Sequence, residues 1–271
     1  MTVVGVDVGK TRITLIARGS GTKREERPTP RNMSGAEFRR IFNSFMEGVD
    51  SPSAVGLSIP GLVDREGLAL ESAVGIQPMD FSWIEEEYAC SVNLANDCDA
   101  ALLGQKFDLE EYSNAVNVVI GSGIGASVKY GGDILWSDEN GSIEPGFMYV
   151  GNSTWHDLCG GHYIGDRFEE RTGRTKKPRE IFSGSSNEAD ELLEDLKTEN
   201  SRAIASIINS FAPQILSFSG SVATNQSEFI QECVSRSKEL DVHNEFPEII
   251  ISGVKDEPGV EGSLVLADRI L

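Results

Sequence analysis

The chain has 271 residues, of which 43 are acidic and 24 basic, and its net charge is −19. A surface this negative repels nucleic acids and anionic membranes, so we expect neither as a partner. The four scattered cysteines indicate no disulfide framework, and no apolar run approaches membrane-spanning length. The N-terminal residues already read as a strand rather than a signal peptide, so we expect a soluble cytoplasmic protein of one or two domains.

The first predicted element is a hairpin. Residues 2–16 form two β-rich runs on either side of a turn at Gly9, which predicts two antiparallel strands. Asp7 lies inside the first apolar run, where a buried carboxylate is costly unless a metal ion or phosphate-linked water binds it. The turn would then offer a polyphosphate the donors of Lys10, Thr11 and Arg12. The residues alone leave a plain hairpin and a phosphate loop equally open.

A helix and a third strand follow. Residues 34–49 have helical spacing and form one apolar face that we expect in the core: Phe38, Ile41, Phe42, Phe45 and Met46. Residues 54–64 predict a strand that runs into Pro60 and Gly61, and a Pro-Gly turn lets the backbone approach a ligand closely.

A strand-to-helix junction is predicted at Asn96 and Asp97. Residues 91–94 are short and alternating, and residues 100–103 are good helix formers. Asp97, or Asn96 just before it, suits the N-cap position because a short oxygen-bearing side chain can accept the free amides of the first turn. The alternative is that Asp97 is a general base at the mouth of a cleft.

The opening pattern is repeated in the second half of the chain. Residues 114–120 and 126–130 predict two strands around a glycine-rich turn at 121–125. Exposed backbone amides in such a turn suit phosphate. Because a strand follows the turn rather than a helix, it is not the dinucleotide fingerprint. Two hairpins of this type, one in each half, indicate a repeated phosphate-binding unit.

Residues 141–165 are expected to be irregular, and residues 171–177 to form a basic loop. His156, Cys159 and His162 are spaced at three-residue intervals and could hold zinc, although a complete tetrahedral set is missing. Helices are predicted over residues 189–196, 201–211, 227–240 and 259–271, and strands over residues 214–218 and 248–252.

Several segments, in this order, resemble motifs of the ROK family, the sugar kinases and repressors of the actin and hexokinase superfamily. The resemblance covers nearly the whole chain and rests on residues 5–11, 58–64, 96–104, 121–125, 219–222 and 262–264. The first is similar to the phosphate motif Gly-x-Asp-x-Gly-Gly-Thr-Lys, with Lys10 in place of the second glycine and Arg12 in place of the lysine.

The chain also departs from the family pattern. Phe147 stands where the family has a zinc-binding histidine, and of the zinc-binding cysteines only Cys159 remains. We therefore expect no structural zinc unless His156, Cys159 and His162 rebuild a site. The family's repressors carry a DNA-binding domain before the first phosphate motif; this chain starts in that motif, so we expect a kinase.

The resemblance implies a two-domain actin-like ATPase (ribonuclease H-like) α/β fold with an interdomain cleft. The sugar-side domain would comprise residues 1–112 plus 259–271, and the nucleotide-side domain residues 113–258. The expected reaction is phosphoryl transfer from ATP, with Mg²⁺, to a hexose or N-acetylhexosamine, at the 6-hydroxyl. The alternative is a degenerate, non-catalytic sugar-sensing protein. Family members are often dimers, so a homodimer is expected.

The resemblance also implies roles for individual residues. Asp97 would be the catalytic base, and Asp7 would bind Mg²⁺ through water. The sugar would contact Pro60, Gly61, Asn96, Asp97, Glu144 and His162. The nucleotide would contact Asp7, Gly9, Lys10, Thr11, Arg12, Gly121, Ser122, Gly123, Gly220 and Ser221.

Overall fold

The chain contains both strands and helices in a computed structural model that describes residues 1–137, 141–184, 186–253 and 255–268. The strands in these ranges are β1 (Thr2–Val8), β2 (Arg12–Arg18), β3 (Thr22–Pro28), β4 (Pro52–Ile59), β5 (Leu62–Asp64), β6 (Ala69–Ser72), β7 (Met79–Asp80), β8 (Ser91–Asn96), β9 (Ala115–Ile120), β10 (Ile124–Tyr130), β11 (Asp133–Ile134), β12 (Trp136–Ser137), β13 (Gly141–Ser142), β14 (Tyr149–Val150), β15 (Ser153–Thr154), β16 (Ile215–Ser219) and β17 (Glu248–Ile251). The α-helices are α1 (Gly35–Met46), α2 (Trp83–Tyr88), α3 (Asp97–Leu103), α4 (Trp155–Cys159), α5 (Gly161–Thr172), α6 (Pro178–Ser183), α7 (Asn187–Phe211), α8 (Ser221–Asn225), α9 (Ser227–Ser237) and α10 (Pro258–Asp268).

The chain forms two compact units, and the α/β class predicted from the sequence is confirmed. Unit 1 comprises Met1–Phe107, Leu135–Ile143 and Glu257–Leu271, and unit 2 comprises Asp108–Ile134 and Glu144–Asp256. The sequence analysis assigned residues 113–258 to the second domain, whereas residues 135–137 and 141–143 fall in unit 1. The reason is that the β12–β13 hairpin packs on β5, where Gly141 lies against Leu62.

Each unit contains a five-stranded sheet with the same topology. The strand order is β3-β2-β1-β4-β8 in unit 1 and β11-β10-β9-β16-β17 in unit 2. In each sheet the three strands that come first in the chain pair with one another in antiparallel fashion. The other two strands pair in parallel with their neighbours. Both predicted hairpins, β1–β2 and β9–β10, are confirmed. The shared topology agrees with the repeated pattern in the sequence.

Helices cover both faces of the unit 1 sheet. All five residues of the predicted apolar face of α1 are buried, and Ser34 caps this helix in a capping box with Glu37. Residues of α10 pack with Val3, Ile16 and Ala54 on the sheet. The helix approaches so closely that a Cβ on Gly56 would collide with the carbonyl oxygen of Ser263.

Some elements differ from the sequence prediction. Charged β3 was not predicted as a strand, because an exposed edge strand lacks a buried apolar face. Residues 141–165 were expected to be irregular, but they contain α4 and the start of α5. The basic loop expected over residues 171–177 is present at residues 173–177, between the end of α5 and the start of α6. The two helices predicted between 189 and 211 are one continuous helix, α7.

The predicted closing helix is present as α10 up to Asp268, and its last three predicted residues lie outside the described ranges. No helix within the described ranges is long and apolar enough to cross a membrane.

Candidate functional site

Three parallel strands of unit 1, β1, β4 and β8, end at the same edge of its sheet. Most of the site residues predicted in unit 1 lie on these strands or directly after them. In the ladder Asp7 on β1 pairs with Ser58 on β4, and Ile59 on β4 pairs with Asn96 on β8. The strand ends therefore bring the hairpin turn after Asp7, the Pro60–Gly61 turn and the Asn96–Asp97 junction to one edge. Ligands of parallel α/β sheets commonly bind at the carboxyl ends of the strands.

The predicted strand-to-helix junction is present, and Asn96 is the N-cap of α3. Its Oδ1 accepts the amide of Cys98 at 2.8 Å, and its Nδ2 donates to the carbonyl of Gly61 at 3.0 Å. The buried Asn96 thus caps the helix and holds the Pro60–Gly61 turn at the same time. Asp97 is the first helical residue and is half-buried. The cap role is filled by Asn96, so Asp97 is not needed for it.

Asp7 is a half-buried carboxylate in the central strand β1. The fully buried hydroxyl of Ser58 donates to its Oδ1 at 2.7 Å. Burial raises the pKa of Asp7, while the Ser58 hydrogen bond and the nearby charge of Arg12 oppose this shift. A carboxylate in this setting favours a cation as its partner. Oxygen ligands suit Mg²⁺, which is usually held by one or two carboxylates together with water and substrate phosphates, so Asp7 fits the predicted metal role.

The turn after Asp7 is ordered by its own hydrogen bonds. The Gly9 amide donates to the carbonyl of Arg12 at 2.8 Å, and the Thr29 hydroxyl donates to the carbonyl of Gly9 at 2.7 Å. Lys10 and Thr11 are exposed on this turn. The Arg12 guanidinium is paired with Glu26 at 3.1 Å and Glu257 at 3.4 Å, so its charge is already balanced.

In unit 2 the glycine-rich turn is held by the N-terminus of α5. The amides of Gly161 and His162 donate to the carbonyls of Gly121 and Ser122 at 2.9 and 2.8 Å. His156 also contacts this turn, and its Nδ1 lies 3.1 Å from the amide nitrogen of Ile124. A Cβ on Gly123 would collide with this imidazole ring, which explains the glycine at that position.

The predicted adenosine motif lies beside this turn at the end of β16. Ser219 pairs with Val119 of β9, so the two strands end together. Gly220 has a φ of 90°, which disfavours other residues, and a Cβ there would lie 2.6 Å from the carbonyl oxygen of Ile120. Ser221 begins α8 and is exposed. Unit 2 therefore brings Gly121, Ser122, Gly123, Gly220 and Ser221 to one sheet edge.

Glu144 and His162 are the remaining predicted sugar contacts, and both are exposed in unit 2. Glu144 precedes a short 3₁₀ turn, Pro145–Phe147, and His162 lies in the first turn of α5.

The candidate zinc ligands His156, Cys159 and His162 do not form a metal site in the described part of the chain, where no group of three potential ligands is found. Burial raises the pKa of the Cys159 thiol, which lies 3.7 Å from a carboxylate oxygen of Glu199. The His156 ring stacks on Phe147, with ring centroids 4.8 Å apart. The side chains of Cys159 and His156 therefore have packing and polar contacts that explain their positions without a metal ion.

Sequence reasoning missed one charged cluster in unit 1. Asp99 is only 1% exposed, and it accepts hydrogen bonds from Arg65 and from the Ser142 hydroxyl, both at 2.6 Å. The available signal was a second carboxylate in the first turn of α3, which has to find a partner if it is buried.

A groove of about 590 Å³ in unit 2 is lined by residues of α8, α9, β17 and the turn after it. None of the predicted site residues lines it, so we do not assign the nucleotide to this groove.

The comparisons with known proteins agree with these motifs. The profile of the ROK family matches residues 3–270. The chain belongs to the ROK family. No curated protein matches its sequence.

Solved structures of ROK proteins have the same fold. The ROK hexokinase from Thermus thermophilus is 22% identical, with a TM-score of 0.82 over 100% of this chain and 99% of that one. A ROK glucokinase from Streptomyces griseus, in complex with glucose and AMPPNP, is 16% identical, with a TM-score of 0.80 over 99% and 100% of the two chains. A ROK transcriptional regulator, a homologue of the E. coli MLC protein, is 17% identical, with a TM-score of 0.80 over 98% and 77%. At these identities the likeness shows the fold and does not separate kinase from regulator.

Proposed function

We propose that this ROK protein is a sugar kinase that transfers the γ-phosphoryl group of ATP to a hexose or N-acetylhexosamine, at the 6-hydroxyl. One observation carries the proposal: Asp97 and the turn after Asp7 lie at the same edge of the unit 1 sheet. A kinase needs a base for the hydroxyl and groups that hold the phosphates, and this edge offers both.

Asp97 is the proposed general base. It is the first residue of α3, and the cap formed by Asn96 fixes the start of that helix. Asp97 would accept the proton of the attacking hydroxyl, while Asn96, Pro60 and Gly61 would line the sugar site. The Asn96–Gly61 hydrogen bond supports this grouping, because it holds the turn and the helix start together. Glu144 and His162 are proposed as further sugar contacts.

The phosphates are assigned to backbone amides and to a cation. In unit 1 the groups are the amides of Lys10 and Thr11, in the turn that begins at Gly9, and the exposed ammonium of Lys10; the Gly9 amide itself donates to the carbonyl of Arg12. Arg12 is a weaker candidate than Lys10, since Arg12 already pairs with Glu26 and Glu257. In unit 2 the proposed nucleotide residues are Gly121, Ser122, Gly123, Gly220 and Ser221.

Asp7 would hold Mg²⁺ through water. A magnesium ion bound with ATP would neutralise charge on the phosphates. The contribution of the chain itself is mainly positioning: it orients the sugar hydroxyl, removes its proton at Asp97 and presents donors to the phosphates.

A coupled ADP-release assay tests the proposal. Purified protein with ATP and Mg²⁺ is assayed with glucose, mannose, glucosamine, N-acetylglucosamine and N-acetylmannosamine, with the reaction that lacks sugar as the blank. We expect sugar-dependent ADP release from the wild type with at least one of them. The position of the phosphate on the product is then read by NMR. The absence of turnover above the blank with every sugar would reject the kinase assignment.

The second candidate is a sugar-sensing protein without catalysis. It is favoured by Phe147 in place of the family's histidine and by a glycine-poor adenosine motif at residues 219–222. Calorimetry with the same sugars separates the two functions, because a sensor would bind sugar and release no ADP.

We also propose that the protein forms a homodimer. Size-exclusion chromatography coupled to light scattering tests this directly, because it measures the molar mass in solution.

A further inference from the structure

An arginine in unit 1 connects three segments that are distant in sequence. Arg65 follows β5 and donates from Nη2 to Asp99 at 2.6 Å. Its guanidinium lies over the ring of Trp136, 3.6 Å from the ring centroid. The Ser142 hydroxyl donates to the same carboxylate oxygen of Asp99 at 2.6 Å. Trp136 and Ser142 face each other across the β12–β13 hairpin.

This cluster is poorly suited to stabilise the fold. Asp99 is almost completely buried, and the Arg65 side chain is 32% exposed. The Nε of Arg65 is buried and has no hydrogen-bond partner in the described part of the chain. Burying a charged pair costs desolvation free energy that the pairing often fails to recover, and an unpaired donor adds to that cost. A buried pair with an unsatisfied donor is therefore weak evidence for a purely stabilising role.

The location of the cluster indicates what that role is. Asp99 lies in the first turn of α3, two residues after Asp97. Two of its partners, Arg65 and Ser142, come from the turn after β5 and from β13, and both contact the first turn of the helix. Asn96 fixes the start of this turn from one side, through Gly61. The contacts of Asp99 with Arg65 and Ser142 hold the same turn of α3 at a second point.

We propose that Arg65 is a positioning residue which, acting through Asp99, holds the first turn of α3 and with it the carboxylate of Asp97. The inference rests on the proposed kinase function, in which Asp97 accepts the sugar proton. Arg65 itself is assigned no contact with the reacting atoms. Because a shift of about 1 Å in a catalytic group can cost roughly 100-fold in rate, a loosened first turn should lower kcat. Binding of ATP should be unaffected.

The test uses four variants of the full chain. Arg65→Gln and Asp99→Asn each remove one charge, and the double variant Arg65→Gln/Asp99→Asn removes both. Arg39→Gln is the matched control, since Arg39 also pairs with a carboxylate at 2.6 Å and lies over a tryptophan ring, at 4.6 Å, but on α1. Each protein is measured for kcat, for the Michaelis constants of sugar and ATP, and for its urea unfolding midpoint.

Positioning and structural roles give different results. We expect kcat of Arg65→Gln to fall about 10- to 100-fold relative to Arg39→Gln, with the Michaelis constant for ATP within about threefold of wild type. The double variant should regain stability, because it buries no unpaired charge, yet keep the low kcat. Recovery of kcat together with stability in the double variant would mean that the pair serves stability alone. A kcat for Arg65→Gln equal to that of the control would also overturn the proposal.

Amide hydrogen exchange of α3 provides a readout independent of activity. Residues 97–103 should exchange faster in Arg65→Gln than in Arg39→Gln. If the wild type phosphorylates no sugar, the kinase proposal fails, while faster exchange would still support the contact between Arg65 and the first turn of α3. If the wild type is active and exchange in α3 is unchanged, only the positioning role fails.

Discussion

The side-chain amide of Asn96 donates to the carbonyl of Gly61 at 3.0 Å, while its oxygen caps the helix that begins with Asp97. One buried residue therefore fixes two parts of the proposed sugar site. The sequence predicted a cap here and, through the family resemblance, a sugar contact. It could not predict the bond to Gly61, which depends on β4 and β8 being neighbours.

The two bonds of Asn96 can be separated by substitution. Asn96→Ser should keep the helix cap, because serine is a good N-cap, but lose the bond to Gly61. We expect its free energy of unfolding to fall by about 1–3 kcal/mol, the cost of a buried carbonyl left without a donor. Asn96→Ala should lose about 1 kcal/mol more, since the cap is lost as well. Urea unfolding measures both. Equal stability of the two variants would mean that the cap contributes nothing.

The general-base assignment predicts a change in rate with little change in stability. Asp97→Asn should lower kcat by roughly 10²–10⁴. Loss of the interaction between this first-turn carboxylate and the helix dipole should lower its free energy of unfolding by about 1 kcal/mol. Asp190→Asn, which removes a first-turn carboxylate from α7, is the matched control and should leave kcat unchanged. Near-normal turnover of Asp97→Asn would defeat the assignment.

Asp7 gives the protein a specific dependence on pH. Because burial raises the pKa of Asp7 in the folded state, the folded state binds this proton more tightly than the unfolded state. The contribution of Asp7 to stability is therefore fully present below the unfolded pKa and is lost as pH rises through the raised folded pKa. Asp7→Asn has no carboxyl group to titrate, so this loss of stability with rising pH should disappear. The asparagine side chain still offers an oxygen that accepts the Ser58 hydrogen bond.

The stability of Asp7→Asn relative to wild type should thus increase from pH 4 to pH 8, although its kinase activity should be low. Urea midpoints across this range provide the measurement, with the exposed Asp50→Asn as a control. A difference between Asp7→Asn and wild type that stays constant with pH would contradict the burial argument.

The sequence predicted the strands and turns that form each site edge, because they follow local rules. Alternating apolar residues gave β1, β2, β9 and β10, and helical spacing gave the buried face of α1. The many glycines of residues 141–165 led to a prediction of irregular structure, which was wrong for the start of α5. Its first residues, Gly161 and His162, instead donate their amides to the carbonyls of the phosphate turn.

The Arg65–Asp99 pair could not be predicted in this way. Its members are 34 positions apart, and Ser142 is 43 positions from Asp99. No period or local motif connects such residues, since only the tertiary packing of β5 and the β12–β13 hairpin brings them together. The sequence analysis therefore did not single out Asp99 or its partners.

Lys10 and Arg12 should differ in their effect on ATP. Lys10 is exposed and has no ion pair with any described residue, so its ammonium is available to a phosphate. Lys10→Gln should raise the Michaelis constant for ATP by about tenfold or more, the value of a hydrogen bond from a charged donor. Arg12→Gln should have a smaller effect on ATP. It should lower the free energy of unfolding by less than about 1 kcal/mol, since its ion pairs are exposed. A larger rise in the Michaelis constant for ATP in Arg12→Gln than in Lys10→Gln would mean that Arg12 leaves its carboxylate partners when ATP binds.

Glu144 is a proposed sugar contact, and it is exposed in front of the turn Pro145–Phe147. If it accepts hydrogen bonds from two sugar hydroxyls, Glu144→Ala should weaken sugar binding by about 2–3 kcal/mol, roughly 30- to 150-fold. The Michaelis constant for ATP should be nearly unchanged. Glu169→Ala, an exposed glutamate of α5, is the control and should alter neither constant. If Glu144 is only a surface residue, the substitution should cost a few tenths of a kcal/mol in stability and nothing in binding. A normal sugar Michaelis constant would mean that the sugar site is built from other residues.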